Sequence, residues 1–133
     1  MNKIYITLIS FIFAPAVAIA GANIVEGGAA QSQYDAEKAA SKVLAQKDKK
    51  FILREGGSDT PKPKSMTLKV GEKLFIVNEE EKYTHNVYDS TDDSWVLQKQ
   101  SPGGVAVISF DAPGEHKLRC AIHPKMKIKV KVE

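Results

Sequence analysis

GEHKLRCAIHPKMKIKVKV, residues 114–132, carries the pattern from which the fold can be read. From Lys125 onward lysine alternates with Met126, Ile128, Val130 and Val132, which is the two-residue period of a strand with one face buried and the other in water. Ahead of it, residues 115–120 read as a second strand, introduced by the Ala112-Pro113-Gly114 turn. The seven residues CAIHPKM, 120–126, join the two and contain the only cysteine of the chain.

Working outward, short apolar runs alternate with turn chemistry, the signature of an all-β protein. Strands are expected at 51–54, 66–70, 73–78, 84–88, 95–97 and 105–110. Gly71-Glu72 is expected to be a tight turn between the second and third of these. GGSDTPKPK, residues 56–64, reads as a loop, because its two prolines cannot lie inside a central strand. With 115–120 and 125–132 this makes about eight strands, the count of a two-sheet sandwich. The domain is expected to span residues 49–133.

Two segments precede it. MNKIYITLISFIFAPAVAIA, residues 1–20, has the charged start, apolar centre and small-residue end of a secretory signal peptide, with a cut expected after Ala20 or Ala18. An uncleaved anchor is the alternative, since about 20 apolar residues can span a bilayer. Residues 21–31 read as a lead-in rich in glycine and alanine. Residues 32–46 then read as an N-terminal amphipathic helix: Ala36, Ala39, Ala40, Val43 and Leu44 fall on one face. Ser32 with Asp35 resembles a capping box, and Lys47, Lys49 and Lys50 follow the far end.

The chain carries 19 Lys and Arg against 16 Asp and Glu, a net charge of +3. A balance this mild points to neither nucleic acid nor a strong membrane-surface partner, and no stable membrane insertion is expected after signal cleavage. Export places the protein in the periplasm, an oxidising compartment where cysteines usually pair. A lone cysteine there is an intermolecular bridge, an inert buried thiol or a metal ligand.

Ligand chemistry distinguishes the third reading. Thiolate, imidazole and thioether form a soft set that selects copper, ahead of zinc because of the thioether. Cys120 at a strand end can offer such a set together with His123 and Met126 on the loop that follows, which Pro124 stiffens. His85, in THNVY at the start of another strand, is the best candidate for a fourth ligand. His116 is excluded, because four residues along an extended strand from Cys120 is more than about 13 Å. Catalysis at a second metal centre would need further histidines, and only His116 remains. No Ser/His/Asp set and no glycine-rich phosphate loop is present.

These residues carry a family resemblance. The C-x2-H-x2-M spacing with proline after the histidine is similar to that of the cupredoxins, the type 1 blue copper proteins, in their amicyanin-like and plastocyanin-like branch. TLKVGEKLFIVNEE, THNVYDS and SPGGVAVISFDAPGEHKLRC resemble the family's successive strands between about residues 64 and 132. The resemblance implies a cupredoxin-like Greek-key β-sandwich holding one type 1 copper that cycles between Cu(I) and Cu(II). His85, Cys120, His123 and Met126 would be the ligands, and Asn86 would tie the two ligand segments together. The implied role is not enzymatic: a monomer would carry single electrons between redox proteins, such as a c-type cytochrome or a periplasmic dehydrogenase. Partners would dock on Ala121, Ile122, Pro124 and Lys125 around the edge of His123. Three features depart from the family: Ile128 where glycine is usual, His116 where an aromatic is common, and the N-terminal helix. Two alternatives stay open, a copper carrier or storage protein and a metal-free sandwich that binds a partner through its helix.

Overall fold

The structure, a computed structural model, describes residues 21–91, 93 and 95–133. The expected signal peptide lies outside the described residues. Eleven strands among them, where about eight were expected, form two stacked sheets. One sheet has six strands, β1 (Ala22–Glu26), β2 (Lys42–Lys47), β3 (Lys50–Glu55), β4 (Ser58–Pro61), β6 (Leu74–Asn78) and β9 (Val105–Phe110), in the order β1-β9-β6-β2-β3-β4. The other has five, β5 (Ser65–Leu68), β7 (His85–Asp89), β8 (Val96–Gln100), β10 (Gly114–Cys120) and β11 (Lys127–Val132), in the order β5-β11-β10-β7-β8. The fold is therefore the expected cupredoxin-like β-sandwich.

The alternation that opened the sequence reading sets the layers. Ile128, Val130 and Val132 of β11 are buried, and Lys127, Lys129 and Lys131 are exposed. On β10 the inward set is His116, Leu118 and Cys120. All but His116 meet Leu44, Leu74, Ile76 and Ile108 of the six-stranded sheet in one core between the layers. Ile128 belongs to that core and is only 2% exposed.

The N-terminal reading needs correction. The helix, α1, spans Gly28–Glu37 and not 32–46, and it starts at Gly27, whose φ of 72° is a conformation that favours glycine. Ala36, Ala39 and Ala40 are exposed; Ala30 is the buried residue of the helix, and Tyr34 packs edge-on against Phe75 with ring centroids 5.5 Å apart. The helix thus covers the outer face of the six-stranded sheet, over Val43, Phe75, Val77, Val105 and Val107. Residues 42–47, placed in the helix by their spacing, form β2, which runs parallel to β6 and antiparallel to β3. Val43, Leu44, Ala45 and Gln46 are all buried because this central strand is covered on both faces. A strand covered on both faces loses its polar alternation, so a continuous apolar run is compatible with either period. The turn into β3 also gave no signal: Asp48 and Lys49 take φ values of 52° and 58°, a two-residue turn that usually announces itself with Asn-Gly or Asp-Gly.

Two further expectations shift. The lead-in at 21–31 contains β1, which pairs with β9 from Ala22↔Phe110 to Glu26↔Ala106. Residues 21–48 accordingly supply an edge strand, a helix and a central strand to the sandwich. Part of the loop at 56–64 is β4, an edge strand that ends in Pro61, where the missing N–H costs no ladder bond. The turn at Gly71-Glu72 connects β5 to β6, which lie in different sheets, so it crosses between layers and does not close a hairpin. Among the described residues no helix is long and apolar enough to cross a membrane.

Candidate metal centre

β7 and β10 are antiparallel neighbours in which Cys120 faces Val87. His85, two residues before Val87, shares its face of the strand, so the register puts the imidazole and the thiol on the inner side at one end of the sandwich. Both are buried, His85 at 0% and Cys120 at 2% exposed. The loop after Cys120 then folds back on itself. Met126 N–H donates to the His123 carbonyl at 2.9 Å and Cys120 N–H to the Met126 carbonyl at 3.2 Å. Pro124 occupies the second position of this turn, where its fixed φ is favoured. The result swings half-buried His123 back over the cysteine.

Three side-chain atoms converge. Cys120 Sγ is 3.5 Å from His85 Nδ1 and 3.7 Å from His123 Nδ1, and the two nitrogens are 3.1 Å apart. A triangle with those sides has its centre about 2.0 Å from each corner, close to the 2.0–2.3 Å bonds that thiolates and imidazoles make to zinc. Two imidazole nitrogens and a thiol sulfur at this spacing are the donor types and separations of a soft metal site, so the donor set fits a metal ion. His85, Cys120 and His123 form the cluster able to hold one among the described residues.

The surroundings bear on the protonation of Cys120 and His85. Burial by itself disfavours the Cys120 thiolate. His85 and the backbone N–H groups of Asn86, Ile122 and His123 outweigh it and bring the thiol pKa down to about 6. His85 is also subject to opposing effects: burial disfavours its charged form, while Cys120 and Glu80 together raise its pKa above the usual imidazole value. Glu80 was not singled out by the sequence. Its Oε1 lies 3.1 Å from His85 Nε2 and accepts the Lys49 N–H at 2.6 Å. A carboxylate there favours the proton on Nε2 and leaves the Nδ1 lone pair for a metal. Asn78 holds Glu80 in place by accepting its N–H at 2.9 Å while donating to the Tyr83 and Gln100 carbonyls. The run Glu79-Glu80-Glu81 offered no sign of which carboxylate turns inward; Glu79 instead pairs with Arg54 on the surface.

Asn86 does link the ligand segments, but through its main chain: its carbonyl accepts the Ala121 N–H at 2.9 Å. Its side chain turns the other way and accepts the Lys99 N–H at 2.7 Å, closing the bulge of the β7–β8 pair where Lys99 has a φ of 52°. Met126 is 2% exposed and packs in the same core cluster as Cys120. His116 stays apart, stacked on Phe110 with centroids 4.3 Å apart and bonded to buried Asp89 at 2.5 Å. Around His123, Ala121, Ile122, Pro124 and Lys125 are exposed as expected, and Tyr83 joins them, edge-on to the imidazole at 6.3 Å.

No protein-family model matches the chain. No curated protein matches it either. Solved structures do, and they define the class of fold as the cupredoxin-like sandwich. Amicyanin structures are among them. The reduced Cu(I) form at pH 4 of a proline-to-glycine variant shares 22% identity, with a TM-score of 0.59, over 84% of this chain and 98% of that one. A methionine-to-alanine variant in its Cu(I) form matches over the same shares with the same score and identity. Amicyanin from Paracoccus versutus shares 24% identity, with a TM-score of 0.53, over 71% of this chain and 83% of that one.

Proposed function

We propose that this protein is a periplasmic blue copper protein that carries single electrons between redox proteins, with His85, Cys120, His123 and Met126 holding one copper. The observation that carries the reading is the convergence of the Cys120 sulfur with the two Nδ1 atoms at 3.5, 3.7 and 3.1 Å. Copper bound there would supply one-electron transfer between its two common oxidation states. The chain supplies the frame. Two strands and a closed loop hold the ligands, Met126 stands at the buried end of that loop, and Glu80 fixes the His85 ring. A set held this firmly suits a site that must change little between two charge states. Metal exchange, as in a copper carrier, calls for accessible ligands, and His85 and Cys120 are at most 2% exposed.

His123 is the ligand nearest solvent, and the apolar rim of Ile122, Pro124 and Tyr83 offers the small contact area of a brief redox encounter. A c-type cytochrome or a periplasmic dehydrogenase fits as partner. Copper binding needs a deprotonated thiol, so uptake should be full well above pH 6 and weaken as the pH falls below the thiol pKa of about 6. The test is to add Cu(II) to the purified protein across this range and record its visible spectrum. An intense blue thiolate-to-copper band, bleached by ascorbate and restored by an oxidant, is expected. Uptake of Cu(I) alone without colour would favour the carrier, and no uptake would overturn both readings.

Glu80→Gln keeps the shape but removes the charge behind His85. Loss of such an outer partner typically weakens a metal site at least about tenfold. A chelator competition titration should therefore show a drop of about that size, with the blue band retained.

A further inference from the structure

Beside the metal loop lies a groove of about 720 Å³. Among the described residues, Phe51, Pro63, Met126 and Ile128 form its apolar floor and every other lining residue is Lys or Arg, nine cations with no carboxylate. Nearly half of the 19 Lys and Arg in the chain therefore meet at one place. Lys49 and Lys50 come from the β2–β3 turn, and Lys62 and Lys64 from the connection between β4 and β5. Lys117 and Arg119 project from β10, with Lys125, Lys127 and Lys129 from the start of β11 and the residues before it.

The sheet register makes this more than a solvated face. Lys117 stands directly across from Lys129, and Arg119 from Lys127. Like charges in directly opposed positions destabilise a sheet. The next outward-facing pair of the same ladder is Glu115↔Lys131, of opposite sign, and Lys131 also meets Glu133 at 3.1 Å. Among the described residues, Lys42, Arg54, Lys73 and Lys131 all pair with carboxylates, and none of the nine groove cations does. Among the described residues, countercharge is thus present around the groove and missing inside it. Where a fold accepts local repulsion without compensation, the missing partner is reasonably sought outside the chain.

We propose that this groove receives an extended, carboxylate-rich segment of a partner protein. A trough with cations along its walls suits a single strand of chain, which can set carboxylates against them. A flat anionic bilayer would reach only the rim. The groove also adjoins the metal site: Met126 lines it, and the Lys49 ammonium lies 4.3 Å from the centre of the Tyr83 ring that meets His123. Under the electron-transfer reading, on which this consequence rests, the acidic segment steers the partner and holds it while the His123 edge makes the redox contact.

The binding can be tested on metal-free protein, so that a failed copper titration would leave the result intact. The probe is an end-blocked, fluorescent deca-glutamate peptide followed by anisotropy, with amide shifts mapped by NMR. Binding is expected at about 20 mM salt, weakened at least about tenfold at 200 mM, with shifts centred on residues 117–119 and 127–129. The double variant Lys117→Glu/Arg119→Glu should bind at least about tenfold more weakly. Its melting temperature should rise, because each new carboxylate faces Lys129 or Lys127. Lys38→Glu/Lys69→Glu, with the same change in net charge outside the groove, should keep the parent affinity. Equal losses in the two double variants, no peptide binding, or a groove variant that melts lower than the parent would each overturn the proposal. So would vesicles of about 30% phosphatidylglycerol that bind more tightly than the peptide and depend on Lys117 and Arg119.

Discussion

Cys120→Ala abolishes the blue band and lowers copper affinity by more than about a hundredfold, while the protein stays folded. The affinity estimate follows from what outer partners are worth: losing one costs about 10–100-fold, and Cys120 is a ligand itself. It is also the anionic member of the set, since its thiol pKa of about 6 leaves it mainly thiolate at neutral pH. Folding is spared because the change removes a single sulfur from a core position, a cost of about 1 kcal/mol if the cavity partly closes. The check pairs a copper titration followed in the visible region with a urea melt of the metal-free variant. An intact blue band in the variant would remove Cys120 from the site, and a collapsed melt would make the cysteine a structural residue first.

Deleting residues 21–48 should prevent folding altogether. That segment holds β2, which lies between β6 and β3, so its loss strips one ladder from each neighbour and leaves the β3–β4 hairpin without a sheet to join. It also removes Val43 and Leu44, 2% and 0% exposed, each worth about 1.5–3 kcal/mol by burial. Two such side chains alone account for a large part of the 5–15 kcal/mol by which a domain is stable. NMR of the truncated chain should show collapsed amide dispersion and no cooperative urea transition. The graded version is Leu44→Ala, expected to cost about 2–5 kcal/mol and to lower the urea midpoint without changing the metal ligands. A truncated chain that still melted cooperatively would mean β2 is dispensable, contrary to its place in the sheet.

The contrast between these two experiments follows what could be read from the chain. Cys120, His123 and Met126 are close in sequence, and their spacing within one short loop expresses the site locally. His85 was within reach because an imidazole opening a strand is conspicuous in a chain with three histidines. Glu80 was not, because its importance lies in facing His85 Nε2 at 3.1 Å, a contact set by how the 79–84 connection folds over Asn78. Lys127 and Lys129 read singly as a solvated strand face. Only the pairing of β10 with β11 puts them opposite Lys117 and Arg119.

By itself, then, the sequence determined the features carried by short-range patterns. These were the all-β character, the buried face of the last strand, the clustering of Cys120 with His123 in one short loop and the separation of His116 from it. Tertiary structure decided the rest. Residues 42–47 became a strand because burial on both faces removes the polar alternation that distinguishes strand from helix, and only the presence of β6 and β3 on either side resolves that ambiguity. In the same way the triangle of His85, Cys120 and His123 exists only once the β7–β10 register brings His85 to Cys120, a contact between residues 35 positions apart that no local pattern encodes.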